Sequence, residues 1–513
     1  MNVDGHPPGR VRVIVVGAGP VGLMLAGELR LGGADVVVLE RRAERSWESR
    51  GIGFTARAAE LLDQRGLLTR LANAEPSRQG HFGGVPMDYG VLEGAHFGMR
   101  GVPQYRIEEM LETWAVELGA VVLRGREVIG LRNEGDQVIV TATGWAGTEE
   151  LAAGFVVGCD GSRSAVRSFS GFAFLGSDAE REMYLADVTG AEIAPRMIGE
   201  LLPEGMVMAA PLEDSYTRII VCEHGVRPDR AREATFVDVA DAWERLTGDS
   251  IHDGQARWVS KFSDATRLAS QYRRGRVLLA GDAAHVHLPA GGQGMSVGIQ
   301  DAVNLGWKLA ATVAGDAPDA LLDTYHSERH PVGARVLCNT RAQGTLNLSG
   351  NVVEPLRMVM SELMQLPVVT RHLAGMVSGF DIQYAVGDGS NPLLGMRMPP
   401  CDVQLDGGGR TQTPQLLHSA RGVLLTDAEP VAREAAAWTH RVDIVRAAHA
   451  PSGSLSVAGG SVLLRPDGYV AWTGLDGGDL TTALGRWFGV GQFDEIESSQ
   501  VTRPALTPNG DRL

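Results

Sequence analysis

The chain has 513 residues, which at the usual ~100–200 residues per domain suggests roughly three domains. Lys+Arg total 47 against Asp+Glu 62, a formal net charge of −15 with no basic block, and this argues against a nucleic-acid partner. Cys159, Cys222, Cys338 and Cys401 are widely spaced, form neither a C-x-x-C nor a zinc-like grouping, and read as reduced, mostly buried thiols of a cytoplasmic protein.

The opening "MNVDGHPPGR" is polar, and the apolar run from Val13 to Gly27 is shorter than the ~20 residues a membrane span needs. Glu28 and Arg30 follow without a small-residue cleavage pattern, so neither a membrane segment nor a signal peptide is expected. Next, "VRVIVV" (Val11 to Val16) reads as a buried strand, "GAGPVGLMLAGELRLGG" as a helix and "DVVVLE" as a second strand, a βαβ start that implies a parallel sheet. "TARAAELLDQRGLLTRLA" is an amphipathic helix with Thr55 as its expected N-cap. "RIEEMLETWAVELG" is another helix, and "DQVIVTAT" and "AAGFVVGCDG" are strands.

From about Ser177 to Gly275 the pattern turns to extended segments, read as a mostly antiparallel sheet inserted into the first domain. "RVLLAG" then supplies a last parallel strand, with a helix expected from about Ser296. Asp319 to Phe380 is mostly helical, and the Gly- and Pro-rich "VGDGSNPLLGMRMPPC" reads as a linker. Beyond it, "GVLLT", "RVDIVRAA" and "SVLLRPDGYVAW" are strands, with Pro466 and Gly468 suited to a hairpin turn, and a short helix near "TTALGRWFG" closes a small α/β domain.

Gly17-Ala18-Gly19-Pro20-Val21-Gly22 follows a strand and opens a helix, the context in which this motif means dinucleotide binding. The first glycine permits the turn, the second admits a pyrophosphate to backbone N–H groups, and the third lets helix pack on strand. Glu40 ends the second strand, placed for a ribose 2′-hydroxyl, which favours FAD or NAD over NADP there. In "LLAGDAAHVHLPAGGQGMSVG" the strand is expected to end at Asp282, whose carboxylate suits a polyol such as a ribityl chain. Gly291, Gly292 and Gly294 clear space for a flat ring, and the helix dipole at Ser296 would face the anionic edge of a reduced flavin. Gly298, Ala302 and Gly306 recur every four residues and allow close packing. His285 and His287 do not make a zinc site, because no third ligand is supplied, and read as packing and hydrogen-bonding residues. No G-x-S-x-G occurs, which removes a hydrolase elbow.

The stretches "GAGPVGLMLAGEL…LE", "GCDGSRSAVR" and "RVLLAGDAAHVHLPAGGQGM" together resemble the class A flavoprotein monooxygenases of the para-hydroxybenzoate hydroxylase type. "ERSWESRGIGFTAR", "GHFGGVPMDYGVLEGA" and "RHLAGMVSG" resemble their angucycline and aromatic-polyketide hydroxylase branch, so the likeness spans nearly the whole chain. The resemblance implies a Rossmann-like FAD-binding domain (1–176 and 276–390, with a helical extension), an inserted substrate domain (177–275) and a thioredoxin-like C-terminal domain (391–513). It implies FAD contacts from Arg41, Arg50, Gln104, Val128, Asp160, Asp282, Pro289, Gly292, Gly294, Met295 and Ser296, beside the Gly17–Gly22 fingerprint and Glu40. Many relatives carry Asn where this chain has Ser296, and Ser can equally cap the helix.

The activity the resemblance implies is hydroxylation of an angucyclinone-type aromatic polyketide with NADPH and O2, through a flavin C4a-hydroperoxide. No protein nucleophile is expected; backbone around Pro289, Gly291 and Gly292 would surround the reacting oxygen. The substrate wall is expected from Phe82, Met87, Tyr89 and Phe97 on one side and Met206, Met208 and Pro211 on the other. Other outcomes on the same cofactor are ring cleavage, antibiotic inactivation, or an FAD-bound assembly subunit without turnover. The appended domain suggests a homodimer.

Overall fold

A computed structural model describes residues 11–71, 74–92, 94, 96–145, 147–212, 215–229, 232–447 and 460–492. The fold is mixed α/β, with a parallel core sheet and several antiparallel sheets. In the core, Val11–Val16 lies between Val36–Glu40 and Gly147–Gly158, parallel to both, with Val13 opposite Val36 on one side and Phe155 on the other. Val121–Arg124 extends the sheet beyond Val36–Glu40, and Val277–Leu279 extends it beyond Gly147–Gly158, again in parallel. Val13, Ile14 and Val15 are wholly buried, as expected for β-branched strands covered on both faces.

The helix Pro20–Leu31 packs against Gln293–Ala314 through the small residues noted in the sequence. A Cβ at Gly298 would stand 2.5 Å from Val21, and one at Gly306 would stand 2.3 Å from Glu28. On another side, Gly27 lies under Trp114 of the helix Gln104–Glu117, where a Cβ would fall 2.0 Å from the ring.

The inserted sheet is antiparallel throughout, in the order Arg196–Leu202, Gly205–Pro211, Thr217–Glu223, Glu182–Thr189, Gln255–Ser263. One helix within it, Phe236–Thr247, departs from the extended reading. Thr235 accepts from the Asp238 N–H while Asp238 accepts from the Thr235 N–H, a capping box that starts the helix, and left-handed Gly248 ends it. Val239, Ala240 and Trp243 bury its inner face on the sheet.

Further boundaries move for local reasons. The helix after Thr55 ends at Asp63, far short of the expected run, because Gly66 turns left-handed at φ +67°. The linker reading of 386–401 gives way to a packed segment: Val386, Leu394 and Met398 are buried, and Arg397 bridges to Tyr469. The C-terminal sheet runs Val442–Arg446, Gly422–Thr426, Ser461–Leu464, Val470–Thr473, with its first pair parallel and the rest antiparallel. Gly468 closes the expected hairpin by donating to the Arg465 carbonyl at 2.9 Å.

That hairpin tip penetrates the neighbouring helices. Arg465 binds both oxygens of Glu328 at 2.6 and 2.9 Å, and Lys308 reaches the same carboxylate at 2.8 Å. Arg57 and Arg65 donate to the carbonyls of Asp467 and Pro466 at 2.7 and 2.9 Å. Each of these charges is buried, a costly arrangement that holds only because every charge is paired and hydrogen-bonded. Among the described residues no helix is long and apolar enough to cross a membrane.

Candidate active site

Three loops distant in sequence meet at the carboxyl ends of the core strands. Gly17 N–H donates to the Leu39 carbonyl at 2.8 Å, Cys159 N–H to Val16 at 2.8 Å and Ala280 N–H to Gly158 at 3.0 Å. Gly17, Glu40, Asp160 and Gly281 therefore line one edge, around the strand where the crossovers diverge. Gly17 has φ +104°, and a Cβ there would strike the Cys159 carbonyl at 2.5 Å; at Gly22 it would strike the Gly17 carbonyl at 2.0 Å. Gly19, by contrast, has open space beside it. The helix at Pro20 starts there without a side-chain cap, so its first amides face that space, an arrangement that attracts an anion such as a pyrophosphate.

Glu40 is fixed beside the opening by the amides of Ala18 and Arg42, each at 2.9 Å. Arg41 is exposed next to it and Val128 is buried. Asp160 accepts from the Val166 N–H at 3.1 Å through Oδ2, while its buried Oδ1 has no partner among the described residues. Burial pushes its carboxyl pKa up despite local hydrogen bonds. An orphaned acceptor beside an open helix start fits a ligand that carries both hydroxyl donors and a pyrophosphate, as FAD does.

The second half of the site is a loop clamped to a helix start. Gly51 N–H donates to Gln104 Oε1, and Gln104 N–H returns a bond to the Gly51 carbonyl, both at 3.1 Å. Arg50 is exposed, and its carbonyl accepts from Arg218 of the inserted sheet at 3.2 Å. Arg218 is itself held by both oxygens of Asp187 at 2.7 and 2.9 Å, and Trp258 donates to the same carboxylate at 2.7 Å. Opposite this loop, Gly291 and Gly292 are both left-handed, at φ +67° and +63°. The helix begins at Gln293, earlier than expected, capped by Gly292 without a side chain. Ser296 does not cap it: its Oγ accepts from the Thr55 N–H at 2.9 Å. Thr55 in turn spends its hydroxyl on the Ser378 carbonyl. The first-turn amides near Gly294 and Met295 are thus left without a side-chain acceptor. The Met295 methyl lies 3.8 Å from where a Gly51 Cβ would be, so the Arg50 loop and this helix start share one space.

Asp282 stands exposed on the turn Gly281–Ala283, past a strand that ends at Leu279 rather than at Asp282. Pro289 is also exposed. The turn is tied to the helix by Asp301, which accepts from Gly281 N–H at 3.1 Å, from Arg329 at 2.7 Å, and pairs with His285 at 2.7 Å. Burial alone would raise the Asp301 carboxyl; the Arg329 guanidinium and His285 outweigh it and hold it below the usual carboxylate range. His287 bonds the Leu288 carbonyl at 2.8 Å. Among the described residues no group of three or more His, Cys, Asp or Glu side chains could hold a metal ion.

The expected substrate wall divides. Phe82, Met87 and Tyr89 are buried in a core with Leu373 and Val377, with Phe97 packed against it. Met206 and Met208 belong to a second cluster with Leu288 and Ala290, and Pro211 is exposed. Ala290 belongs to the glycine turn, so the second group touches the cradle directly. A cavity of about 520 Å³ opens behind the first turn of the Gln293 helix, bordered by Gln293, Ser296, Gln300, Arg335 and Asn339. None of the expected substrate residues lines it. Sequence reasoning missed the Arg218–Asp187 pair, the Asp301 hub and the buried amides Gln293, Asn339 and Gln343. Polar Gln300, Asn304 and Lys308 at four-residue spacing within an apolar helix were a visible sign of a buried polar stripe.

Residues 10–340 match the family described as FAD binding domain, and residues 391–490 match aromatic-ring hydroxylase, C-terminal. The chain is an FAD-binding aromatic-ring hydroxylase. It belongs to the class A flavoprotein monooxygenases. Its sequence is 45% identical over 502 residues (94% of this chain, 99% of the relative) to a 12-dehydrotetracycline 5-monooxygenase/anhydrotetracycline 6-monooxygenase of Streptomyces rimosus subsp. rimosus. It is 42% identical over 484 residues (93% and 98%) to a rifampicin monooxygenase of Streptomyces venezuelae. The crystal structure of CabE, an aromatic hydroxylase from angucycline biosynthesis, superposes with a TM-score of 0.91 at 57% identity, covering 94% of this chain and all of that one.

Proposed function

We propose that this hydroxylase inserts oxygen into a polycyclic aromatic polyketide of angucyclinone type, using FAD, NADPH and O2, within antibiotic biosynthesis. The observation that carries this reading is the 57% identity to CabE over nearly the full length of both chains. Bound FAD would supply the redox chemistry, with NADPH as the reductant and O2 as the oxygen source.

The chain's own part is binding, orientation and exclusion of water. The Gly17–Gly22 turn and the open first-turn amides that follow Pro20 would hold the pyrophosphate, with Arg41, Glu40, Val128, Asp160 and Asp282 flanking the rest of the cofactor. Arg50 and Gln104 would hold it from the clamped loop, facing Pro289, Gly292, Gly294, Met295 and Ser296. Uncapped amides at the Gln293 helix start supply positive potential for charge developing on the ring. Phe82, Met87, Tyr89, Phe97, Met206, Met208 and Pro211 would form or back the apolar wall for the aromatic substrate.

The working domain division is 1–176 with 276–390 for FAD, 177–275 for substrate and 391–513 for a thioredoxin-like unit, whose mixed four-stranded sheet supports that assignment. That unit carries no C-x-x-C, so its role is contact rather than redox chemistry, including contact within a homodimer. Four unbridged cysteines suit a cytoplasmic setting. A second reading, oxidation of a finished antibiotic, is favoured by the likeness to a rifampicin monooxygenase.

The test is aerobic NADPH oxidation by the FAD-loaded protein, with and without an angucyclinone, with product mass recorded. Ligand-stimulated consumption and a gain of one or two oxygens support the proposal. Stimulation by rifampicin alone would move the assignment to antibiotic oxidation, and NADPH use indifferent to every aromatic ligand would point to an assembly subunit.

A further inference from the structure

Four hydrogen bonds run in one direction through the core between the hairpin of the proposed substrate wall and the Ala290–Gly292 turn. Gly83 N–H donates to Gln343 Oε1 at 3.3 Å, and Gln343 Nε2 donates to Asn339 Oδ1 at 2.9 Å. Asn339 Nδ2 donates to Gln293 Oε1 at 3.0 Å, and Gln293 Nε2 donates to the Ala290 carbonyl at 3.0 Å. The three amide side chains are 0, 3 and 1% exposed, for Gln343, Asn339 and Gln293 in that order. One end is the turn of the hairpin Gln79–Phe82 and Val85–Asp88, which carries Phe82 and Met87. The other end is the left-handed turn Ala290–Gly292.

Each amide spends its oxygen on one neighbour and an N–H on the next. Turning any one over would set oxygen against oxygen and N–H against N–H, so their orientations are fixed jointly. Aligned buried bonds of this kind also polarise one another. Apolar side chains would fill the same space without having to satisfy buried polar atoms, so these amides are a costly filler. What they add is a fixed relation between the two ends. The turn has need of it, because successive left-handed glycines are conformationally soft and Gln343 Oε1 lies 3.6 Å from where a Gly291 Cβ would be.

We infer that Gln343, Asn339 and Gln293 are positioning residues that hold the Ala290–Gly292 turn in register with the hairpin, so that an aromatic ligand pressed on the hairpin meets an ordered turn. The inference rests on the hydroxylase reading, and its test has two arms. The first is hydrogen exchange on FAD-loaded protein without ligand. Gln293→Met should speed exchange in the peptide containing Gly83, and Gln343→Met should speed it around Ala290. Changes confined to the mutated end would overturn the inference.

The second arm is the share of NADPH electrons that leave as hydrogen peroxide, by two-electron reduction of O2, while the enzyme turns over an angucyclinone. Gln343→Met and Asn339→Leu should raise that share about three- to tenfold with FAD affinity unchanged. The double variant Gln293→Met/Gln343→Met should be no worse than the more severe single, because a chain is broken only once. An unchanged peroxide share, or additive effects, would contradict the inference. Should Asn339→Leu fail to fold, the two Gln→Met variants decide. A wild type that holds FAD but hydroxylates nothing would defeat the hydroxylase reading, and the exchange arm would still judge the chain.

Discussion

At the junction with the C-terminal hairpin, Glu328 receives Arg465 and Lys308, Arg57 and Arg65 reach backbone carbonyls, and the whole group is closed off from water. At the cofactor edge, the helices beginning at Pro20 and Gln293 start without side-chain caps, Asp160 Oδ1 has no partner among the described residues, and glycines take the places where side chains would intrude. The first region pairs its buried charges within the chain. The second leaves polar groups for a partner that arrives from outside the chain. A molecule bound there should stabilise the second region, as the hairpin does the first.

The sharpest way to break the contrast is within the fingerprint. Gly22→Val would drive a side chain into the Gly17 carbonyl, and we expect purified protein with no bound flavin. Gly19→Val meets open space and, compared as FAD-free proteins, should melt like wild type yet bind FAD far more weakly. Equal flavin content in Gly19→Val and wild type would place the pyrophosphate elsewhere.

Next comes the junction. Glu328→Gln leaves Arg465 and Lys308 sharing too little negative charge, and should cost about 3–5 kcal/mol of stability while FAD affinity in the folded protein stays near wild type. Burial alone would raise the Glu328 carboxyl, but Arg465 and Lys308 bring it from 4.5 down to about 2. A carboxyl lowered by folding stabilises above its unfolded value and loses that contribution as pH falls. The melting-temperature gap between wild type and Glu328→Gln should therefore be full above pH 4.5 and shrink toward pH 2. A gap independent of pH would mean that the variant acts through packing.

The smallest effect is expected at the clamp. Gln104→Leu removes the acceptor of one backbone N–H, at Gly51, and should weaken FAD binding about five- to tenfold, the scale of one hydrogen bond. No change in a fluorescence titration would show that the Arg50 loop holds its shape without Gln104.

Much of the cofactor edge was legible because its chemistry resides in backbone and glycine. The order strand, Gly17–Gly22, helix, strand, Glu40 follows from periodicity and punctuation, and the small residues Gly298 and Gly306 are where the helices touch. What was not legible depends on tertiary partners. Ser296 looks like a cap, but Thr55 claims its hydroxyl from across the chain. Val386 to Met398 has the composition of a linker, but Val386, Leu394 and Met398 within it are buried in the C-terminal core. The helix Phe236–Thr247 is signalled by its capping box, but the strands on either side of it dominate the pattern of that stretch. For the wall residues, apolar character fits core and ligand face equally, and Phe82, Met87 and Tyr89 lie in core.

The most direct test of the account is turnover of an angucyclinone by the FAD-loaded enzyme with NADPH under isotopically heavy dioxygen, followed by mass spectrometry of the product. Monooxygenation predicts one heavy oxygen in the product for each hydroxylation. A product carrying oxygen from water, or an unmodified ligand recovered while NADPH is consumed, would contradict it.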